Sequence, residues 1–520
     1  MSSQGKWLKD LTSQLWEGAD ELRANSKLSA AQYSKPVLGL IFLKFADHRF
    51  QEAMVELERK SSSGRRMIQE SDYQALGVMY LPEGARWSDL IKLPEGENIG
   101  RAVNLAMSKI EERNDNLRGA LPKVFNDLEK NTLIELIRLF DTIPMDSDGD
   151  AFGRIYEFFL AKFAKAEGQG GGEFYTPLSL VRLIVQIIAP FEGKLLDPAC
   201  GSGGMFVQSA KFLKEHRKNP NSISVHGMEK TLETVNLSKI NLAVHQLSGQ
   251  VIQANSYYDD PFNMAESFDY VMANPPFNVD KIDKERIKDD VKRYPLGMPN
   301  SDNGNYIWIQ MFYGALNTTG KAGFVMADSA GDSGHSEAKL RKELIQTGAV
   351  DVIVSVGPKF FFTLPIACTL WFLDKGKSNN DTADSILFID ATDIFEVVDR
   401  AHHEFSVSQI EFISNIVRLY RSEEPEFENL SENEFRKLFP GMKYLDVQGL
   451  CKLADRKVIE DKNWSLNPGK YVGVPERINK TTNEIKLELR ELVNELEELD
   501  QLGEELDANV SKILQKILGD

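Results

Sequence analysis

The 520-residue chain has few cysteines and few histidines, and this scarcity excludes two kinds of architecture. Its three cysteines, Cys200, Cys368 and Cys451, are odd in number and far apart in the sequence. They predict neither a disulfide framework nor a Cys-x-x-Cys metal site. The seven histidines show no second ligand at metal spacing. We therefore expect no metal and a reducing, cytoplasmic compartment.

The chain also lacks a membrane-spanning run and an excess of positive charge. The most apolar long stretch, 350–373, is interrupted by Gly357, Pro358 and Pro365, so it predicts two strands joined by a loop. The N-terminal segment MSSQGKWLKD holds no apolar core of a signal peptide. The formal net charge of −17 opposes a large phosphate-binding surface, since nonspecific DNA affinity comes from lysine and arginine. A chain of this charge that acts on DNA needs a partner to supply cations.

Residues 281–293 are the local exception to the acidic balance, with six basic and four acidic residues. Such a mixed run is typical of a solvated helix face, but it is also able to contact phosphate groups. The sequence leaves both interpretations open.

Hydrophobic periodicity separates two large regions of the chain. Residues 1–150 carry apolar side chains at three- and four-residue spacing and predict a helical N-terminal domain. Residues 151–400 alternate short apolar runs with helical segments, which predicts an α/β domain with a doubly wound, mostly parallel sheet. The predicted strands are 194–197, 224–229, 250–255, 268–273, 323–328, 350–356 and 368–373, with 385–392 as an edge strand.

The remaining residues are polar and helical in pattern. Residues 401–470 predict a mixed helical region. Residues 471–520 predict a C-terminal helix, because Leu, Ile and Val recur in a four-three heptad register from Ile485 to Ile517 with an interruption at Gly503. An apolar stripe needs a covering surface, so we expect this helix to bind a partner subunit or to pack on the chain's own N-terminal helices.

The first predicted strand leads into a glycine-rich loop, DPACGSGG, at residues 197–204. Its three glycines let the backbone turn tightly and approach a ligand closely. Phe206 stands where a dinucleotide-binding loop needs glycine, and the Gly-Lys-Ser/Thr of a P-loop is absent. Asp197 would repel a pyrophosphate and suits a cationic, amine-bearing ligand. The loop therefore argues against ATP and NAD.

Polar residues also end the second and third predicted strands. Glu229 can accept hydrogen bonds from both hydroxyls of a ribose. Asn255 can meet the edge of an adenine ring. Together with the glycine loop, these residues predict a site for an adenosine that has no phosphate requirement.

An upstream segment, GQGGGEFYTPL at residues 168–178, combines a glycine run with two aromatic residues. We expect Thr176 and Pro177 to be the N-cap and the first residue of a helix. The N-terminus of this helix can hold a carboxylate such as that of an amino acid.

The fourth predicted strand ends in ANPPFN, residues 273–278. Two adjacent prolines remove two backbone donors and fix two φ angles, so the segment cannot continue as a central strand. It is therefore expected to be a stiff, exposed loop. Open α/β sheets bind ligands at this end of their strands.

These segments together resemble the S-adenosylmethionine-dependent amino-methyltransferases of DNA. DPACGSGG is similar to the cofactor loop of that family, NPPF to its catalytic loop and EFYTP to its methionine-contacting segment. Their order is that of the gamma arrangement. With a helical N-terminal domain and a helical tail, the whole chain resembles the modification subunit of type I restriction-modification systems.

The resemblance implies a Rossmann-like fold and methyl transfer from S-adenosylmethionine to the N6 amine of adenine in DNA. It also implies a specificity subunit that reads the DNA sequence, a restriction subunit in the full complex and two copies of this chain. Loops similar to NPPF occur in enzymes that methylate RNA or protein glutamine. A stand-alone amino-methyltransferase is therefore one alternative, and an idle cofactor-binding scaffold is another.

The resemblance also assigns roles to individual residues. Asn274 and Pro275 would accept the two hydrogens of the adenine amine, while Pro276 stiffens the loop and Phe277 stacks on a base flipped out of the duplex. Asn255 stands where related enzymes often carry aspartate. The residues implied to contact the cofactor are Glu173, Phe174, Tyr175, Thr176, Pro177, Leu178, Asp197, Gly201, Ser202, Gly203, Gly204, Glu229 and Asn255.

Overall fold

The computed structural model describes residues 3–26, 28–61, 68–94, 96–144, 149–167, 176–300, 302–361, 366–379, 382–400 and 402–474. The heptad register over 485–517 and the three residues Glu173, Phe174 and Tyr175 lie outside these described residues. The chain up to Val472 forms one compact unit.

The N-terminal region folds into helices, in agreement with its apolar spacing. These helices are α1 (Ser3–Ser26), α2 (Ala30–Ser61), α3 (Glu70–Ala75), α4 (Trp87–Ile91), α5 (Ile99–Arg113), α6 (Lys130–Asp141) and α7 (Gly149–Glu167).

The following region alternates strands and helices. Its strands are β1 (Gly193–Asp197), β2 (Ile223–Glu229), β3 (Gly249–Gln253), β4 (Phe268–Ala273), β5 (Leu316–Ala327), β6 (Val350–Val356), β7 (Cys368–Asp374), β8 (Ser385–Ala391), β9 (Glu396–Asp399), β10 (His402–Glu404) and β11 (Cys451–Asp455). Its helices are α8 (Leu178–Ile188), α9 (Gly204–Glu215), α10 (Leu232–Val244), α11 (Asn305–Ala315), α12 (His335–Gln346), α13 (Val407–Tyr420), α14 (Glu432–Leu438) and α15 (Arg456–Asp461).

Nine strands form one sheet in the order β11-β8-β6-β7-β5-β4-β1-β2-β3, and β9 and β10 form a separate hairpin. Strand β1 pairs in parallel with both β2 and β4, and Leu196 is in register with Val271. The carboxyl ends of β1 and β4 therefore meet at one edge of the sheet. Strand order reverses here, which is where open α/β sheets bind ligands. The predicted Rossmann-like fold class is confirmed.

Three details of the sheet differ from the prediction. Strand β7 is antiparallel to both of its neighbours, β5 and β6. The predicted edge strand, now β8, is internal because β11 pairs with it on the outer side. Strand β11 itself lies in the region that was predicted to be helical, since its five residues acquire their extended form from pairing with β8.

The N-terminal helices pack directly on the sheet domain through α10. Ile240, Ala243 and Val244 of α10 belong to the hydrophobic core of the N-terminal helices. At the rim of this contact, Lys35 Nζ lies 2.9 Å from Glu233 Oε1, which places α2 beside the start of α10.

A buried ion pair fixes the far end of α8. Arg421 donates to the carbonyl oxygen of Ile187 at 2.6 Å and to Asp351 Oδ2 at 2.8 Å. Burial alone would raise the pKa of Asp351, but Arg421 and Lys377 outweigh burial and hold that pKa below its usual range. The C-terminal end of α8 is thus tied to β6, and its N-terminal end faces the carboxyl edge of the sheet.

Two further expectations concern membranes and charge. In the part of the chain that the structure describes, no helix is long and apolar enough to cross a membrane. The apolar stretch 350–373 forms β6 and β7, as predicted. The run 281–293 is not a helix face, because only Lys284–Arg286 forms a 3₁₀ turn and Arg293 is buried against Asp290.

Candidate active site

A cavity of about 1530 Å³ lies at the carboxyl ends of β1 and β4. Its walls come from the loop after β1, the start of α8 and the helices α2, α7, α9 and α10. Small-molecule sites commonly measure about 300–1000 Å³, so this cavity has room for more than one ligand group. The predicted site residues that line it are Thr176, Pro177, Leu178, Asp197, Gly201, Ser202, Gly204 and Asn274.

Glycines shape the loop between β1 and α9. Gly203 is the N-cap of α9 and has φ of +83°, a left-handed conformation that favours glycine. Gly204 lines the cavity, and a Cβ at this position would meet no protein atom within 4 Å. The first turn of α9 therefore presents an open backbone surface to a ligand.

Asp197 is the last residue of β1 and is only 1% exposed. Its Oδ1 accepts a hydrogen bond of 3.0 Å from the Ala199 amide. Burial raises the pKa of Asp197 to about 8, the Ala199 amide opposes this shift and the nearby Glu229 carboxylate adds to it. The carboxyl group thus retains its proton near neutral pH and is poised to ionise beside a cation.

Glu229 and Asn255 lie at neighbouring strand ends but do not line the cavity. Glu229 Oε2 accepts a hydrogen bond of 3.2 Å from the Gly201 amide, so its carboxylate is adjacent to the glycine loop. Asn255 Oδ1 accepts from the Tyr257 amide at 3.3 Å. The side-chain oxygen of Asn255, the residue that was expected to meet adenine, therefore already accepts one hydrogen bond from the backbone.

Asn274 lies immediately after β4, and its two amide atoms have different environments. Nδ2 donates a hydrogen bond of 2.9 Å to Thr176 Oγ1. Oδ1 is completely enclosed and has no hydrogen-bond partner among the residues that the structure describes. An enclosed acceptor without a donor costs free energy, so its presence at a cavity wall marks a position where a ligand donor belongs.

The three residues after Asn274 are two prolines and a phenylalanine, and they form a stiff, partly aromatic surface. Pro275 is buried and Pro276 is exposed. Phe277 is half-buried and packs edge-on against Phe361, with ring centroids 6.2 Å apart and an interplanar angle of 85°. Phe361 follows β6, and no sequence motif connected it to the site.

The start of α8 corrects one prediction and adds a residue. The helix begins at Leu178 with Pro177 as its N-cap, whereas Thr176 was expected to cap it. The Thr176 hydroxyl instead accepts from Asn274. Ser179 lines the cavity and is 6% exposed, and its Oγ has no partner among the described residues. This hydroxyl and the free amides of the first helical turn suit a carboxylate.

Other wall residues were not found from the sequence because they come from distant elements. His402 and Glu404 of the β10 strand line the same cavity as Asn274. Cys200 lies in the predicted glycine-rich loop itself and also lines the cavity, as a buried, free thiol. Within the described ranges, no three His, Cys, Asp or Glu side chains lie together in a way that could hold a metal ion.

The sheet order and the cavity together define the class of protein. Strand β1 leads into the glycine loop, strand β4 leads into Asn274, and both loops meet at the reversal of strand order. This is the arrangement of an S-adenosylmethionine-dependent methyltransferase. Three features of the cavity fit that cofactor. The open backbone at Gly204 leaves room for a ligand to approach closely, and the buried Asp197 suits a cationic group. The Ser179 hydroxyl, which has no partner among the described residues, suits a carboxylate.

Comparisons with known proteins specify the family. The N-6 DNA methylase family matches residues 147–480, and the HsdM N-terminal domain matches residues 11–140. The MjaIX type I restriction enzyme methylase subunit of Methanocaldococcus jannaschii is 35% identical, with 96% of this chain and 91% of that protein covered. The HindI methylase subunit of Haemophilus influenzae is 30% identical, with 76% and 90% covered.

A solved structure shows the same fold. The methyltransferase subunit of a type I restriction-modification system from Streptococcus thermophilus superposes with a TM-score of 0.73 at 20% identity, with 90% of this chain and all of that chain covered. The chain belongs to the N-6 DNA methylases and, among them, to the methylase subunits of type I restriction enzymes.

Proposed function

We propose that this chain transfers a methyl group from S-adenosylmethionine to the N6 amine of adenine in double-stranded DNA, at sites that a specificity subunit selects. The observation that carries this proposal is that Asn274, a residue of the cavity lining, has an enclosed Oδ1 with no partner among the described residues. The adenine amine is planar because its lone pair is delocalised into the ring, and an acceptor for its hydrogens helps the nitrogen to become tetrahedral and reactive.

Residues around the cavity are assigned to parts of the cofactor. The first turn of α8 and the Ser179 hydroxyl would hold the carboxylate, and Asp197 would face a positively charged group. Glu229, adjacent to Gly201, is assigned the ribose hydroxyls. When bound, the cofactor supplies an electrophilic methyl group.

The catalytic loop acts on the adenine. Asn274 Oδ1 and the carbonyl of Pro275 accept the two hydrogens of the amine, so the nitrogen moves towards tetrahedral geometry and its lone pair becomes available. Phe277, half-buried against Phe361, provides an aromatic surface for a base that has been flipped out of the duplex. The two prolines hold these groups rigidly. Positioning and electrostatics are then sufficient for the methyl transfer, and no covalent intermediate with the protein is required.

The net charge of this chain and the names of its relatives both support assembly with other subunits. With a net charge of −17, this chain has too few cations to hold DNA over a large area by itself. Its relatives are named as methylase subunits of type I restriction enzymes, which supports a specificity subunit, a restriction subunit and two copies of this chain in the complex. An idle scaffold would not need the acceptor at Asn274.

The test is to co-express the chain with its specificity partner in a bacterium that lacks adenine methylation. The partner is identified beforehand by co-purification from the native host and mass spectrometry. DNA digested to nucleosides is expected to contain N6-methyldeoxyadenosine, and expression without the partner is expected to yield none. Methylated cytosine, or methyl label found only in RNA or protein, would contradict the proposal.

A pH effect on cofactor binding is expected from Asp197, whose pKa is raised to about 8. A bound cation favours the ionised carboxylate, so binding below that pH releases a proton from Asp197. The affinity for S-adenosylmethionine should therefore rise with pH, by up to about tenfold per unit, and level off above about pH 8. Calorimetry in two buffers of different ionisation enthalpy measures the proton release. Asp197→Asn should remove this proton release, and an unchanged release in that variant would exclude Asp197 as its source.

A further inference from the structure

Thr176 joins the two halves of the site. It belongs to the segment 173–178 that was assigned to the cofactor, and it lies one residue before the N-cap of α8. Its Oγ1 accepts a hydrogen bond of 2.9 Å from Nδ2 of Asn274, although the two residues are 98 positions apart in the sequence. Both residues line the cavity.

The amide of Asn274 has to be oriented before it can act. In the proposed reaction, Oδ1 faces the adenine amine, so the Nδ2 group must point to the opposite side. A primary amide nitrogen carries two donor hydrogens, and an enclosed donor without an acceptor costs free energy. Oγ1 of Thr176 is the acceptor that the structure provides on that side.

We propose that Thr176 is a positioning residue for the methyl transfer, and that it acts by accepting a hydrogen bond from Asn274 in the reactive orientation of the amide. This inference rests on the proposed function and adds a role that differs from the cofactor contact expected for Thr176. It places the orientation of the catalytic amide under the control of the cofactor-binding segment.

The hydroxyl is tested with two substitutions: valine has nearly the shape of threonine but no hydroxyl, and serine keeps the hydroxyl but lacks the methyl group. In Thr176→Val the Nδ2 group loses its acceptor, so kcat at saturating cofactor and DNA should fall about tenfold, since the hydrogen bond that orients the amide is lost. Thr176→Ser keeps the hydroxyl and should remain within about threefold of the wild-type kcat. The dissociation constant of S-adenosylmethionine, measured by calorimetry, should change less than about threefold in both variants. Thr319→Val, at an exposed threonine outside the cavity lining, is the matched control.

A second background separates positioning from simple structural support. In Asn274→Ala there is no Nδ2 group for Thr176 to hold, so Thr176→Val should lower the residual kcat much less there than in the wild-type enzyme. An equal loss in both backgrounds would overturn the proposal, and so would a Thr176→Val variant that loses only cofactor affinity. If the Asn274→Ala background has too little activity to measure, the comparison of Thr176→Val with Thr176→Ser decides.

The role of Thr176 and the proposed catalytic role of Asn274 are contradicted by different results. If Asn274→Ala retained full methyl transfer, the catalytic role of Asn274 would be wrong and Thr176 would have nothing to position. If Asn274→Ala abolished transfer while Thr176→Val behaved like the wild type, only the role of Thr176 would be wrong.

Discussion

Replacing Asn274 by alanine is expected to lower the rate of methyl transfer about a hundred- to a thousandfold, which is the usual cost of losing one preorganised contact in a transition state. The expectation follows from Asn274, a residue of the cavity lining whose enclosed Oδ1 has no partner in the described part of the chain. Alanine removes this acceptor and leaves the amine of adenine planar and weakly nucleophilic.

Cofactor binding in Asn274→Ala should stay close to that of the wild type. The residues assigned to the cofactor belong to the start of α8, the glycine loop and Glu229, and a hydrogen bond to Thr176 joins Asn274 to this set. Methyl transfer by the reconstituted complex and calorimetric binding of S-adenosylmethionine measure the two effects separately. Asn429→Ala, at an exposed asparagine outside the cavity lining, is the matched control. Retained transfer in Asn274→Ala would exclude the mechanism.

The sequence predicted the part of the fold that depends on local apolar patterns. The strands that carry the site, β1, β2, β3 and β4, were placed within two residues of their observed ends, because buried parallel strands are short continuous apolar runs. The antiparallel position of β7 and the pairing of β11 with β8 were not predicted. Both depend on which strands meet in three dimensions, and apolar runs carry no information about strand direction or partner.

In the candidate site, too, the sequence predicted the residues of local motifs but not the contacts between distant parts of the chain. Motif residues such as Asp197, Gly204 and Asn274 were found from the sequence, and the structure brings them to one cavity. The hydrogen bond between Thr176 and Asn274 was not found, since a side-chain orientation depends on contacts across 98 residues of chain. Phe361 was missed because an aromatic residue after a strand is common and shows its role only when it packs against Phe277.

Removal of the heptad-bearing tail is expected to abolish assembly with the specificity subunit. The predicted helix carries Leu, Ile and Val from Ile485 to Ile517, and this apolar stripe needs a covering surface. We propose that the specificity subunit provides this surface, because the acidic chain requires another protein to hold it on DNA. The alternative is that the stripe packs on the chain's own N-terminal helices.

The structure decides where the tail should be cut. Tyr471 stacks on Phe388 with ring centroids 3.9 Å apart, and the carbonyl of Val472 accepts a hydrogen bond of 2.7 Å from Gly449. A cut directly after Tyr471, at the predicted start of the tail, would remove Val472 from the core. Truncation after Val474 keeps both residues and leaves the compact unit that ends at Val472 intact.

The chain truncated after Val474 should fold, bind S-adenosylmethionine with wild-type affinity and elute alone when it is mixed with the specificity subunit in size-exclusion chromatography. It should also fail to methylate duplex DNA. A full-length chain with Leu492→Asp and Leu496→Asp tests the apolar stripe itself and should show the same loss of assembly. A truncated chain that assembles and methylates normally would refute the assembly role. A truncated chain that still assembles but unfolds at a lower temperature would instead assign the stripe to the N-terminal helices, because only an intramolecular contact contributes to the stability of the isolated chain.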